Sequence, residues 1–131
     1  MSEVRVGWLG GTFDPIHCGH LDVAIAARAA LSLQSVFLVP ARVPPHRGAP
    51  AASASDRLAM VTLAASTHDW LRVSEIELAL PGPSYTMDTL DRLEAQGMNL
   101  SSLHVITGAD AFADILTWKG MPDLLDRCPF V

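Results

Sequence analysis

The 131-residue sequence predicts an α/β fold built on a doubly wound parallel sheet. Two observations carry that prediction. Short runs rich in β-branched and aromatic residues alternate along the chain with longer alanine- and leucine-rich runs, the order expected of strand, helix, strand units whose ligands lie at the carboxyl ends of the strands. Half of the residues are hydrophobic, enough for one real core, and at this length residues 1–131 are expected to form a single domain.

Val4 to Leu9, mostly β-formers, predict the first strand, and Gly10-Gly11 a turn after it. Leu21 to Leu33 has almost no helix breaker and predicts the first helix. Ser35 to Val39, bounded by Pro40, reads as a second buried strand, so the opening is a right-handed parallel unit. Pro40 to Ser55 is too rich in proline, alanine and serine for either regular element and predicts a functional or mobile loop. A helix starts at Asp56, capped by Ser55 or Asp56, with Leu58, Val61, Leu63, Ala64 and Ala65 on its apolar side. Leu71 to Ile76 predicts a third strand. After the turn Pro81-Gly82-Pro83, Met87, Leu90 and Leu93 recur at helical spacing within Ser84 to Gln96, and Gly97 supplies the stop. Leu103 to Thr107 predicts a fourth strand running into Gly108 and Asp110, and Ala111 to Trp118 a short helix. No internal repeat or linker interrupts this order.

The net charge of −5 argues against a nucleic-acid backbone or an anionic membrane as the main partner, so a phosphate ligand needs positive charge concentrated locally. Cys18 and Cys128 lie far apart without a CxxC pair or companion ligands, which predicts reduced thiols in a cytoplasmic protein and no zinc site. No apolar run reaches the length of a signal peptide or a membrane span.

The most informative stretch is Gly10-Gly-Thr-Phe-Asp-Pro-Ile-His-Cys-Gly-His20. Glycines let the backbone approach a bulky anion, and the free N–H groups and positive dipole end of a helix favour negative charge there. His17 and His20, three residues apart, add donors on one helix face. Taken singly, a Gly-Gly pair is often only a turn and a histidine near a helix start often only a cap. The combination resembles the signature of the HxGH nucleotidyltransferases, and the rest of the chain is similar to their bacterial nicotinate-mononucleotide adenylyltransferase branch. That resemblance implies a Rossmann-like domain that transfers AMP from ATP to nicotinate mononucleotide, giving deamido-NAD and pyrophosphate. It implies His17 and His20 as catalytic residues, Gly10, Gly11, Thr12 and Phe13 at the ATP, and Mg²⁺ carried in with the ATP rather than held by a protein metal site.

Further residues follow from it. Pro40-Ala-Arg-Val-Pro-Pro-His-Arg47 resembles the segment in which a basic residue closes over the nucleotide phosphates; the family usually has lysine where this chain has Arg47, which changes geometry more than charge. A solvated loop cation is the plain alternative, and His46 is a weaker candidate. Pro83-Ser-Tyr-Thr-Met-Asp-Thr-Leu90 is similar to the helix start that receives the nicotinate carboxylate, which assigns Tyr85 and Thr86 to that substrate; Ser84 or Thr86 as a simple cap is compatible. Trp118 resembles the tryptophan lying against the pyridine ring, and as ordinary core it would need no ligand. Gly108 and Asp110 stand at a strand end, where the aspartate can accept from a ribose hydroxyl or cap the next helix. Asp14, Asp56, Arg57 and Glu75 are assigned to loop shaping or packing.

Family members continue through another strand and a Ser-x-Thr-x-Ile-Arg segment that helps bind ATP, and nothing in this sequence matches it. Cys128-Pro-Phe-Val131 resembles the opening of that strand, so the C-terminal part of the family domain is expected to be absent, as in a fragment or a degenerate protein. An unpaired apolar sheet edge then predicts aggregation or a homo-oligomer. Cytidylyl- and phosphopantetheine-type transferases share the glycine-histidine signature and are the nearest alternatives, followed by a non-catalytic nucleotide-binding module. Acid versus amide mononucleotide stays open.

Overall fold

The computed structural model describes residues 5–11, 13, 15–41, 52–79 and 86–106. Among them, four strands, β1 (Val6–Gly11), β2 (Ser35–Pro40), β3 (Leu71–Val73) and β4 (Leu103–Ile106), pair in the order β3-β2-β1-β4, every neighbouring pair parallel. The helices are α1 (Cys18–Leu31), α2 (Ala54–Ala65), the single-turn α3 (Ile76–Ala79) and α4 (Thr86–Ala95), with a 3₁₀ turn at Leu100–Ser102 leading into β4. This is the doubly wound, Rossmann-like arrangement that the alternation predicts.

Side-chain alternation along β1 divides the core. Leu9 faces α1 and α2 with Ala24, Ala27, Val36, Leu38, Val61 and Ile106, while Trp8 faces the opposite side with Val39, Leu90, Leu93, Leu103 and Val105. Alternate residues of a strand point to opposite faces, so a strand buried on both sides reads as the near-continuous apolar run Ser35–Pro40. Because every strand runs the same way, the carboxyl ends of β1, β2 and β4 share one edge. The chain steps from β1 outward to β2 and β3, then crosses to the other side of β1 for β4; the crevice between β1 and β4 is therefore the topological switch point at which open sheets of this kind take ligands.

Several boundaries differ from the sequence reading, each for a local reason. Gly10 and Gly11 are the last paired residues of β1, opposite Val39 and Pro40, rather than a turn. α1 starts at Cys18, three residues before the expected Leu21, because two histidines cap it in place of the Ser, Thr, Asp or Asn that usually mark a helix start. It ends at Leu31, where Ser32 takes the left-handed conformation and its N–H reaches the Arg28 carbonyl. The cap of α2 is Ser53, whose Oγ accepts the Asp56 N–H at 3.1 Å, so Ser55 and Asp56 lie inside the first turn. On α2, Leu63 is 73 % exposed and Arg57 takes an inward position instead. β3 stops at Val73 because the Ser74 hydroxyl accepts the Ile76 N–H and begins α3. Gly97 has φ of 93°, the left-handed stop expected after α4.

Candidate active site

The amino end of α1 meets the carboxyl end of β1 at the switch point, and its cap is made by the two predicted catalytic side chains. His17 is the N-cap and its Nδ1 accepts the Gly19 N–H at 3.1 Å; His20, one turn on, accepts the His17 N–H through its own Nδ1 at 3.0 Å. This is a capping box written in histidine. Since each Nδ1 is an acceptor, each neutral ring carries its proton on Nε2, which leaves two Nε2–H donors for a ligand. The rings stack with centroids 3.9 Å apart and planes at 27°, so the donors are held side by side. Burial, and secondarily the neighbouring His17, hold His20 below its usual pKa of 6.5, which favours that neutral form.

Gly19 is fixed by this geometry. A Cβ there would lie 2.9 Å from His17 Cε1 and 3.0 Å from Nδ1, so only glycine lets the first ring fold back over its own helix start. Phe13 forms the floor. It is 2 % exposed, holds φ of 52°, and meets the His20 ring edge-on with centroids 4.9 Å apart. A bulky residue at positive φ is strained, and strain of that kind concentrates at sites where the chain must turn sharply around a ligand. With its ring turned inward, Phe13 supports His20, and any contact to ATP from this residue would come from its backbone. The first turn of α1 carries no acidic residue, so the positive end of its dipole favours an anion there.

Two further elements start at the same edge. Arg57 of α2 is 1 % exposed; its guanidinium donates to the Ala41 carbonyl just past β2 and to the Ala52 carbonyl just before α2, the latter at 3.3 Å. That is the packing role read from the sequence. α4 runs back from this edge toward the start of β4, which places Thr86 and the first turn of α4 at the carboxyl side of the sheet. Of the predicted site residues, the structure thus brings together His17, His20, Gly10, Gly11 and Phe13, and sets the backbone of Thr86 along the same edge. Thr12, Arg47, Tyr85, Gly108, Asp110 and Trp118 lie outside the described residues. Two residues escaped the sequence reading: Glu77 of α3 and Thr89 of α4, both buried and joined by a hydrogen bond of 3.0 Å from the Thr89 hydroxyl to Glu77 Oε2. An acid inside the apolar run Ile76-Glu77-Leu78-Ala79 was the available signal.

Residues 8–131 match the cytidylyltransferase-like family. The chain belongs to that family. Among curated relatives, it is 42 % identical over 127 residues to a protein of Pseudomonas syringae pv. tomato and 47 % identical over 126 residues to one of Roseiflexus sp., each named "Probable nicotinate-nucleotide adenylyltransferase". The alignments cover 97 % and 95 % of this chain but 57 % and 62 % of those two proteins. A Plasmodium falciparum nicotinic acid mononucleotide adenylyltransferase, solved in complex with NaAD, superposes with a TM-score of 0.83 at 19 % identity, over 98 % of this chain and 63 % of that one. At that identity the likeness speaks to the fold, and it agrees with the Rossmann-like sheet. The resemblance first seen in Gly10 to His20 thus extends across this cytidylyltransferase-like chain. None of its helices among the described residues is long and apolar enough to cross a membrane.

Proposed function

We propose that this chain carries the nucleotidyl-transfer site of a nicotinate-nucleotide adenylyltransferase, which joins the AMP of ATP to nicotinate mononucleotide and releases pyrophosphate. The observation that carries the proposal is the paired Nε2–H donors of His17 and His20 at the amino end of α1, set at the switch point between β1 and β4. A phosphate oxygen of the mononucleotide attacks the α-phosphorus of ATP. The bond from that phosphorus to the oxygen bridging to the β-phosphate breaks, and pyrophosphate leaves with its electron pair. No covalent enzyme intermediate is needed, so positioning and stabilisation of charge on the oxygens in flight carry the catalysis. His17 and His20 supply two fixed donors, and the positive dipole end of α1 adds its field.

Around that centre the proposal assigns Gly10, Gly11, Thr12 and the backbone of Phe13 to close approach to the ATP, and Arg47 to its phosphates. Gly108 and Asp110 would meet the ribose, Tyr85 and Thr86 the nicotinate carboxylate, and Trp118 the pyridine ring. Magnesium enters as the ATP complex, bound through phosphate oxygens as this hard cation usually is. A cytoplasmic location belongs to the same proposal, in keeping with the exposed free thiol of Cys18.

The test is chromatographic detection of deamido-NAD from the purified protein with nicotinate mononucleotide, ATP and Mg²⁺, beside His20→Ala. Product from the parent and a turnover lower by about 10² to 10³ in the variant are expected, the loss typical of one removed charge-stabilising donor. Equal turnover in both would remove His20 from the reaction. Product only when phosphopantetheine or a cytidylyl substrate is supplied would move the chain to a sibling activity.

A further inference from the structure

The amino end of α4 is held in place by a bond that no step above uses. α4 packs on the face of the sheet opposite α1, with Leu90 and Leu93 against Trp8 and Val39, and this apolar contact alone would let the helix slide along its axis. Its first turn is tied to α3 by a buried side-chain hydrogen bond. The Thr89 hydroxyl donates to Glu77 Oε2 at 3.0 Å, with Thr89 fully buried and Glu77 7 % exposed. α3 is itself tied to the sheet edge, since the Ser74 N–H donates to the Leu38 carbonyl of β2 at 3.0 Å and the Ser74 hydroxyl accepts from the Ile76 N–H at 3.4 Å. A chain of bonds therefore runs from β2 through α3 to the start of α4, which packs on the face of the sheet opposite α1 and its His17 and His20 pair. Burying an acid is costly, and apolar packing would have served for stability alone. Such a group is worth its burial where it fixes one register out of several.

We propose that the Glu77–Thr89 pair is a positioning device that sets the height of the α4 amino end, and so the fit of the mononucleotide rather than that of ATP. This rests on the substrate reading above. It assigns no contact with substrate to either residue; each acts through α4. Burial pushes the Glu77 carboxyl up, partly offset by the Thr89 bond, so near neutrality the acid and its anion both occur, and the Thr89 hydroxyl can donate to either.

Thr89→Val removes the donor at nearly constant shape, and Glu77→Met removes the acceptor. In either, KM for nicotinate mononucleotide is expected to rise about tenfold or more, as misplacement of a binding element does, with KM for ATP and kcat within about twofold of the parent. Thr89→Ser and Glu77→Gln keep a donor and an acceptor, and both should return KM to the parental value. Equal rises for the two substrates, a loss confined to kcat, or no rescue by the conservative pair would overturn the proposal. Amide hydrogen exchange on substrate-free protein separates this from failure of the substrate reading. In Thr89→Val the amides of the first α4 turn should exchange about tenfold faster while those of α1 stay unchanged, the loss expected of one net hydrogen bond. Unchanged exchange would refute the positioning role whichever substrate the enzyme uses, whereas faster exchange in a protein inactive on nicotinate mononucleotide would refute only the substrate.

Discussion

Glu77→Gln should make the protein more stable at neutral and alkaline pH and leave it unchanged in acid. The Glu77 carboxyl is raised by burial from its ordinary value of 4.5 to about 7, with the Thr89 hydrogen bond pulling the other way. The folded state therefore binds this proton more tightly than the unfolded state does. Below about pH 4.5 both states hold the proton and the site has no effect on stability. Between 4.5 and 7 the unfolded chain releases it while the folded chain keeps it, so stability falls as pH rises, and above 7 the full loss is in place. A difference of about 2.5 pK units at about 1.4 kcal/mol each gives a loss of roughly 3 kcal/mol. Glutamine never bears that charge, and its carbonyl accepts the same Thr89 hydroxyl. Against a total stability of order 5–15 kcal/mol this is a large fraction, worth about 10 °C in Tm for a domain of this size. Urea denaturation of parent and variant at pH 4.5, 6, 7 and 8 reads the difference directly, since every other ionising group is common to both. Parallel profiles, separated by the same free energy at each pH, would refute the reasoning.

Other perturbations probe the site from different sides. Gly19→Ala should leave the fold intact by circular dichroism but lower turnover by about one to two orders of magnitude, because a Cβ 2.9 Å from His17 Cε1 expels that ring from its cap. Arg57→Met should cost about 2–5 kcal/mol in chemical denaturation, since it removes the buried bond to the Ala41 carbonyl and the bond to the Ala52 carbonyl. In an NMR titration the His20 ring should take its proton below 6.5; because the folded state resists protonation there, its contribution to stability is lost as pH falls through that range, and α1 frays at its start. A His20 titrating at or above 6.5 would contradict the buried, Nδ1-accepting ring.

The sheet was readable because its strands are buried on both faces and announce themselves as apolar runs, as Ser35 to Val39 did. The histidine pair was readable from spacing and its company of glycines. What the sequence hid were contacts whose partners are distant or unconventional. A capping box built from imidazoles is not the pattern that marks a helix start, so α1 appeared to begin at Leu21. Leu63 counted as apolar face because its neighbours Val61 and Ala65 are, yet it points to solvent, while Arg57 turns inward to bind two carbonyls that only folding brings within reach. Glu77 and Thr89 are far enough apart in sequence that neither signals the other.

The position of β1 between β2 and β4 also sets an order of events during synthesis. Val6 pairs with Ser35 on one side and with Leu103 on the other, so the strand that leads into the His17 and His20 pair can find its first neighbour soon after it emerges and must wait for its second. At roughly 5–20 residues per second that wait lasts about 5–20 s, with the apolar edge of β1 open to other chains. The crevice between β1 and β4 does not exist in that interval, so nothing bound there can act as a folding template for the early chain. A ligand seated in that crevice can stabilise the fold only after β1 and β4, the most non-local pairing among the described strands, have closed.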